Sequence, residues 1–341
     1  MNPILKIGTR ESELAVWQAT QVQLLLKENN FSSELVYIKS EGDIDTVTPL
    51  YELGVQGIFT KTLDSALLNK KIDIAVHSMK DVPTQLAKGI QQAAVLKRGS
   101  YKDILVLHPD LTDTNGKLLR DSTVWTSGGS RRDTVNHLVI PLREKHSEEK
   151  WEQVIIGTSS IRRIAQWLNR NKEDKIENLR GNVNTRLRKL KESNWHGAIF
   201  AAAGLERINL RPENAIDLDW MLPAPAQGAI MIVCREDDST SFKICQNFND
   251  ADTALCTKLE RDFLRALLGG CSTPISALAK RRGRTMFFKG NICSPDGKEK
   301  IEVEKKSPIE NSEQLGIHAA EEILKNPFAQ NIIHSIRNEK K

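Results

Sequence analysis

Four arginines lie in two short motifs whose spacing is typical of anion recognition. Ser160-Ile161-Arg162-Arg163 puts two guanidinium groups where a helix is predicted to begin, and free backbone N–H groups at a helix start already favour an anion. Seventeen residues after Arg163 comes Arg180, and Gly181 permits a tight turn between it and Arg186. Because arginine binds carboxylates and phosphates bidentately, these motifs indicate a ligand with several acidic groups.

A second polar motif, Ser78-Met79-Lys80-Asp81, directly follows an apolar segment that is predicted to be a strand. A carboxylate next to an ammonium group stays ionised. Such a carboxylate can stabilise a cationic intermediate or transfer a proton. His77, which precedes the motif, is expected to be packed rather than catalytic.

Cys271 lies in the segment Gly269-Gly270-Cys271-Ser272-Thr273-Pro274. Glycines before it and a proline after it predict a shaped, exposed loop, which suits a nucleophile or a covalent attachment point. The other four cysteines are expected to be buried thiols. The sequence has no CxxC pair, so it supports neither a zinc site nor a dithiol redox site.

The elements that must position these residues are predicted from the apolar periodicity. Strands alternating with helices favour parallel α/β sheets, and two similar strand-to-helix elbows, at residues 7–10 and 156–159, indicate two similarly built α/β domains. In such sheets ligands bind at the carboxyl ends of the strands. The predicted strands are 5–8, 35–38, 72–76, 154–157 and 197–203, and the predicted helices include 58–68 and 161–169.

The rest of the chain divides into a crossing segment, a final region and an insertion. Residues 222–228, rich in proline and alanine, are predicted to be a rigid crossing and a hinge. The final region is predicted to contain helices at 254–268 and 312–325, and antiparallel strands at 286–292 and 301–303. Residues 108–152 are polar and without a clean period, which favours a surface insertion.

Composition and charge limit the class of protein. A chain of 341 residues suggests two or three domains, and 39% hydrophobic with 27% charged residues is typical of a soluble globular protein. No apolar run approaches the ~20 residues of a membrane span, and the first residues do not resemble a secretory signal. We therefore expect a cytoplasmic protein with no membrane partner.

The net charge of +5 is concentrated in one stretch. Residues 151–212 carry twelve lysines and arginines against six acidic residues, which predicts an anionic partner: a nucleic acid, a membrane surface or a polycarboxylate. Aromatic residues make up only 5% of the chain and do not interleave with the basic residues, which argues against RNA. Arg188, Lys189 and Lys191 are expected to form a solvent-exposed basic helix face.

Five segments together resemble the porphobilinogen deaminase (hydroxymethylbilane synthase) family: Gly8-Thr9-Arg10 with Ser12, residues 73–83, residues 157–163, residues 179–187 and Gly269-Gly270-Cys271. The resemblance covers nearly the whole chain. It implies an α/β fold with two periplasmic-binding-protein-like, doubly wound domains and a small α+β C-terminal domain. The implied boundaries are 1–100 with 224–241 for the first domain, 101–223 for the second, including the insertion, and 246–341 for the third.

The resemblance also implies an activity, a cofactor and a set of site residues. Four porphobilinogen molecules would be joined head-to-tail into hydroxymethylbilane with release of ammonia, in tetrapyrrole (haem and porphyrin) biosynthesis, by a monomer with no nucleic-acid partner and no metal. A dipyrromethane would be attached to Cys271, and Asp81 would be catalytic. The residues implied to bind the cofactor are Lys80, Ser78, Ser160, Arg162 and Arg163, and those implied to bind substrate are Arg10, Ser12, Thr158, Arg180, Arg186, Arg207 and Phe59.

Two alternatives and one departure from the family pattern remain. A two-lobed anion-binding or sensor protein without catalysis would suit the same elbows and arginines, although it leaves the Cys271 loop unexplained. An RNA-binding protein is the weaker alternative. Glu41, Glu52 and Gln56 stand where the family commonly has basic residues, so a lid formed by this loop would behave differently here.

Overall fold

Strands and helices alternate through the residues that the computed structural model describes, which are 4–39, 60–111, 123–124, 141–142, 154–267 and 273–338. The predicted positions of Phe59, Glu41, Glu52, Gln56 and Cys271 lie outside these ranges, as does most of the segment 108–152. The strands are β1 (Leu5–Thr9), β2 (Ser33–Tyr37), β3 (Ile74–Ser78), β4 (Ile90–Val95), β5 (Asp103–Leu107), β6 (Thr123–Val124), β7 (Pro141–Leu142), β8 (Ile155–Gly157), β9 (Lys175–Glu177), β10 (Gly197–Ala201), β11 (Ile216–Asp217), β12 (Ile230–Arg235), β13 (Ile275–Arg282), β14 (Thr285–Cys293) and β15 (Lys300–Pro308). The helices are α1 (Glu13–Glu28), α2 (Lys61–Leu68), α3 (Ile161–Arg170), α4 (Val183–Glu192), α5 (Ala202–Glu206), α6 (Ser239–Gln246), α7 (Ala251–Ala266), α8 (Leu315–Leu324) and α9 (Pro327–Asn338).

The first sheet has the strand order β2-β1-β3-β12-β4. Strand β1 pairs in parallel with β2 and β3, whereas β12 runs antiparallel to both β3 and β4. The α/β class predicted from the sequence is confirmed, and the sheet is mixed because β12 returns to it from the crossing segment in the opposite direction. Helix α1 buries Val22 and Leu26 in one of its cores, and α2 buries Leu63 and Leu67 in the other.

The second sheet has the strand order β11-β5-β10-β8-β9 and repeats this mixed plan. Strand β10 pairs in parallel with β8 and antiparallel with β5, and β9 pairs in parallel with β8. Trp167 of α3 lies fully buried in its core. The two predicted elbows are therefore equivalent, because β1 leads to α1 in the first sheet as β8 leads to α3 in the second.

The third sheet, β13-β14-β15, is antiparallel throughout, as the sequence predicts for this region. Helices α7 and α8 cover it. Phe263 of α7 packs against Phe288 of β14 with ring centroids 5.3 Å apart. A side chain at Gly290 would place Cβ 2.6 Å from the Phe263 ring, so close packing of α7 on this sheet requires a glycine there.

Several predicted boundaries shift in the structure. Strand β10 ends at Ala201 because Ala202 and Ala203 begin α5. Helix α9 was not among the predicted elements. Ser12 precedes α1 in the cap position, but its side chain makes no cap hydrogen bond. The four cysteines expected to be buried thiols are free and buried, which confirms that prediction. Within the described residues, no helix is long and apolar enough to cross a membrane.

Candidate active site

The polar motifs of the first sheet meet at one edge, because β1 and β3 are parallel neighbours. The pairing of Gly8 with Ala75 brings the residues after each strand to the same end of the sheet. After β3 the chain turns through a short 3-10 helix, Met79–Asp81, in which Met79 is buried. The Gln18 amide nitrogen of α1 donates to Ser78 Oγ at 2.9 Å, which fixes the start of this turn.

His77 is buried near the end of β3. Burial, and then the charge of Arg10, lowers the pKa of His77 to about 4. The imidazole is therefore neutral near pH 7, as expected for a packed histidine.

In the second sheet, β8 and α3 carry the matching motif. The chain leaves β8 through Thr158 and begins α3 at Ile161, so Arg162 and Arg163 occupy its first turn. Both arginines are buried, with 5% and 4% of their surface exposed. Their placement at a helix start was predicted from the sequence, whereas their burial was not.

A carboxylate that the sequence analysis did not single out compensates this arginine pair. Asp103, at the start of β5, accepts from Arg162 Nη1 at 2.7 Å and from Arg163 Nη2 at 2.8 Å. Burial alone would raise the pKa of Asp103, but the two guanidinium groups hold it well below its usual range. The three residues together leave one positive charge.

Backbone carbonyls take up further donors of the same arginines. Arg162 Nη1 donates to Leu222 O and Arg163 Nη1 to Ile199 O, both at 2.9 Å. The Gln227 amide nitrogen donates to Asp103 Oδ1, also at 2.9 Å. The arginine pair is thus tied to β10 and to the crossing segment, and its orientation is fixed by the protein.

The turn before α4 supplies two more arginines. Gly181 has φ +111°, and a Cβ there would lie 2.7 Å from Thr185 Cγ2, so the position requires glycine. Arg186 Nε donates to Gly181 O at 2.7 Å, which closes the turn. Arg180 is buried, with 3% of its surface exposed, whereas Arg188 is exposed, as predicted.

Electrostatic coupling joins the motifs of the two sheets. Burial lowers the pKa of Lys80 to about 8, and the charges of Asp81 and then Arg163 are the next largest influences on it. Burial likewise lowers the pKa of Arg186 to about 10, with Arg163, Arg180 and Asp81 acting after it. We call these mutually interacting residues the charged cluster: Lys80, Asp81, Asp103, Arg162, Arg163, Arg180 and Arg186.

Arg207 makes a different set of contacts. Its Nη2 donates to Gly228 O at 2.7 Å, and its guanidinium lies 5.7 Å from the ring centroid of Trp17 on α1. Burial lowers its pKa to about 10. Arg207 therefore connects α5 of the second sheet to α1 and the crossing segment.

The third domain is tied to the crossing segment and to the loop between β4 and β5 through a second buried ion pair that sequence reasoning missed. Glu260 of α7 is fully buried and accepts from Arg98 Nη1 at 2.6 Å. It also accepts from the backbone N–H groups of Ala226 at 2.6 Å and Ala279 at 2.8 Å. The sequence signal that could have indicated this ion pair is the position of Glu260 beside the apolar residues of α7, because a buried acid needs a partner.

Two similar mixed α/β sheets followed by a small antiparallel unit define the class of protein, a mixed α/β fold with two lobes and a separate C-terminal domain. The family model described as "Porphobilinogen deaminase, dipyromethane cofactor binding domain" matches residues 5–143 and 129–243, and "Porphobilinogen deaminase, C-terminal domain" matches residues 254–325. The chain belongs to the porphobilinogen deaminase family. It is an enzyme of tetrapyrrole biosynthesis with a dipyrromethane cofactor, and the non-catalytic sensor alternative is not favoured.

Relatives with this name are similar over most of the chain. The porphobilinogen deaminase of Acidithiobacillus ferrooxidans is 36% identical over 344 residues, which is 98% of each chain. The chloroplastic porphobilinogen deaminase of Oryza sativa subsp. japonica is 37% identical over 316 residues, and the alignment covers 90% of this chain and 79% of the rice protein. Among solved structures, the methionine binding protein MetQ covers 73% of this chain and 91% of its own, at 13% identity and a TM-score of 0.40.

The charged cluster fits the cofactor. Its five cations face two carboxylates, and a surplus of buried positive charge is stabilised by an anion. A dipyrromethane brings two pyrroles, each with an acetate and a propionate group. The donor set therefore suits its carboxylates.

Proposed function

We propose that the charged cluster binds the carboxylates of the dipyrromethane and of the growing chain, and that Asp81 is the catalytic carboxylate. The observation that carries this proposal is that both motifs are hydrogen-bonded to the same returning stretch of chain. Met79 N–H, beside Lys80 and Asp81, donates to Ala229 O at 3.0 Å, and Gln227 donates to Asp103, the partner of Arg162 and Arg163, at 2.9 Å. Residues of both sheets can therefore contact one bound ligand.

Asp81 acts on the positive charge that develops during condensation. When ammonia leaves porphobilinogen, its methylene carbon and pyrrole nitrogen become electron-poor. A carboxylate positioned at the pyrrole N–H stabilises that charge through a hydrogen bond. The free α-carbon of the growing chain then forms a bond to this methylene carbon and loses its own proton, which Asp81 can accept.

Lys80, Ser78, Ser160, Arg162 and Arg163 are the proposed ligands of the cofactor carboxylates. The dipyrromethane, when bound to Cys271, supplies the free α-carbon to which the first porphobilinogen is joined. Arg162 and Arg163 share Asp103, so together they offer one net positive charge in a fixed orientation. Lys80 adds a second charge on the opposite side.

Arg180 and Arg186 are proposed to bind the carboxylates of incoming substrate, with Arg10, Ser12 and Thr158 at the neighbouring strand ends. Phe59 and Arg207 complete the proposed substrate set. Arg207 contacts both α1 and the crossing segment, so its contribution includes holding the two sheets together. We further propose that the enzyme works as a cytoplasmic monomer.

Intact mass tests the anchor. Purified wild-type protein should carry the added mass of a dipyrromethane and give a positive Ehrlich-aldehyde colour, whereas Cys271→Ser should lack both. Cys256→Ala, a cysteine of the same domain that is buried against Met286, is the matched control and should keep both. Loading that survives Cys271→Ser would contradict the anchor.

Turnover tests Asp81. Asp81→Asn should keep the cofactor mass and lower kcat by ~100-fold or more, since a neutral amide stabilises developing positive charge poorly. Near-normal kcat in loaded Asp81→Asn would contradict its catalytic role. Saturable anion binding without turnover in the loaded wild-type protein would contradict the reaction itself.

A further inference from the structure

Arg261, on α7 of the third domain, reaches the segment of the first domain that carries Lys80 and Asp81. Its Nη1 donates to Val82 O at 2.8 Å and, more weakly, to Met79 O at 3.4 Å. Its Nη2 donates to Pro83 O at 2.6 Å. One guanidinium therefore binds three backbone carbonyls of residues 79–83, on both sides of Asp81.

The same segment is also held at its beginning by the residue before β12. Met79 N–H donates to Ala229 O at 3.0 Å, just before β12, and Val82 N–H closes the turn onto Met79 O at 3.2 Å. Since the two shorter arginine contacts, to Val82 O and Pro83 O, lie at the other end of the turn, Arg261 fixes the part of its path that Ala229 does not.

The base of Arg261 is itself rigid. Its neighbour Glu260 is fully buried and bound to Arg98, Ala226 and Ala279 at distances of 2.6–2.8 Å. A side chain that starts from so constrained a helical turn can transmit the position of α7 to the carbonyls that it binds. Helix α7 ends at Ala266, five residues before Cys271 in the sequence.

We propose that Arg261 is a positioning residue for the condensation reaction: by holding the carbonyls of Met79, Val82 and Pro83 it sets the place of the Asp81 carboxylate relative to the helix that leads to the cofactor loop. The inference rests on the proposed role of Asp81. Arg261 itself needs to touch neither substrate nor cofactor, because it acts through the turn alone.

The geometry predicts a specific kinetic effect. Loosening the turn leaves the substrate-binding arginines of the second sheet in place, so KM for porphobilinogen should change little. A displaced Asp81 stabilises the developing charge less well, and misplacement by ~1 Å costs about 100-fold in rate. A role confined to stability would lower the melting temperature and leave kcat of the folded, loaded enzyme unchanged.

The experiment compares Arg261→Gln, Arg261→Lys and the control Arg265→Gln in cofactor-loaded holoenzyme checked by intact mass. Arg265 lies one turn further on, its side chain is 58% exposed and it pairs with Asp262 of the same helix, so its variant should match the wild type. Arg261→Gln should lower kcat ~10- to 100-fold with KM within about threefold. Arg261→Lys should fall between, because an ammonium group can reach a carbonyl but cannot span three.

Wild-type kcat in loaded Arg261→Gln would overturn the inference, and so would a change in KM alone. If Arg261→Gln fails to fold or to load, Arg261→Lys decides, and wild-type kcat in that variant overturns the inference. Asp81→Asn, measured in parallel, separates the two proposals. An inactive Asp81→Asn beside a fully active Arg261→Gln refutes only the positioning role, whereas an active Asp81→Asn refutes the proposed function.

Discussion

Replacing Asp103 of the second sheet by asparagine should lower the free energy of unfolding by about 3–5 kcal/mol, which is the usual cost of removing one partner from a buried ion pair. Asp103 has no exposed surface, and two guanidinium groups bind its oxygens at 2.7 and 2.8 Å. Arg162 and Arg163 would stay buried after the substitution, with 5% and 4% of their surface exposed.

Asparagine cannot replace this carboxylate, although it has the same shape. Three side chains donate to Asp103, namely Arg162, Arg163 and Gln227. An asparagine side chain at this position would have only one acceptor oxygen, and its amide group would turn two N–H groups towards other donors. The loss of stability in Asp103→Asn should therefore be that of a broken buried ion pair, about 3–5 kcal/mol.

Asp217 provides the matched control. It also pairs with two cations, Lys102 and Arg211, at 2.6 Å each, but its side chain is 30% exposed. Solvent screening reduces the worth of such pairs to about 0–1 kcal/mol. Asp217→Asn should therefore cost at most about 1 kcal/mol.

The assay is urea unfolding of both variants and the wild type, followed by tryptophan fluorescence and circular dichroism. The pKa of Asp103 is held below its ordinary value, so its contribution to stability is complete above about pH 4 and is lost as the pH falls through the lower folded value. The free energy of unfolding of the wild type should thus exceed that of Asp103→Asn by a constant amount between pH 5 and 8, and by a smaller amount in stronger acid. If Asp103→Asn loses less than about 1 kcal/mol of unfolding free energy at pH 7, or no more than Asp217→Asn loses, the reasoning is refuted.

Three further predictions concern the charged cluster and the turn beside it. Burial lowers the pKa of Lys80 to about 8, so its positive charge is lost as the pH rises past 8. Loading of the apoprotein with cofactor, followed by intact mass, should therefore become slower above pH 8. A Lys80→Gln variant should lack this pH dependence. Arg180→Ala should lower kcat/KM at least ~10-fold, because a buried charged contact to a ligand is strong, whereas exposed Arg188→Ala should stay near the wild type; equal effects would contradict the assignment. Gly181 and Gly283 both have a positive φ, so alanine strains the backbone at either position, but only at Gly181 would the new Cβ also lie 2.7 Å from Thr185 Cγ2. Gly181→Ala should therefore lower the free energy of unfolding by about 1–3 kcal/mol, measured in urea, and by more than Gly283→Ala does.

The sequence predicts the local part of this site well. Residues that follow an apolar strand or begin an amphipathic helix are identified by period alone. Lys80 and Asp81 follow β3 as predicted, although the strand extends to Ser78, and α3 begins at Ile161, where the sequence predicts it. The functional identity follows from the same short segments, because they resemble one family.

The partners of those residues could not be predicted, because they are distant in the chain. Asp103 lies 59 residues before Arg162, and Arg98 lies 162 residues before Glu260. An aspartate at the start of an apolar strand is usually solvated at the sheet edge. Asp103 is buried only because β10 pairs with β5 and Gln227 of the crossing segment packs against it.

The antiparallel direction of β12 could not be predicted either, because it depends on the long-range path of the chain. Hydrophobic patterns record burial and do not record which way a strand runs. Strand β12 is antiparallel to its neighbours because the chain leaves the first sheet, builds the second and comes back through residues 222–228. Its return places Gln227 and Gly228 beside residues of both sheets, which no local pattern expresses.

The Asp103 contacts change how the arginine pair contributes to the site. On sequence grounds Arg162 and Arg163 are two independent anion-binding side chains, but in the structure they share one carboxylate and donate to the carbonyls of Leu222 and Ile199. On the proposed assignment, a ligand carboxylate at α3 would meet one net charge with a fixed direction and would gain little from side-chain adjustment. Preorganisation of this kind reduces the entropy lost on binding. It suits a covalent cofactor that stays in one place, whereas a chain that lengthens must be followed by side chains outside this network.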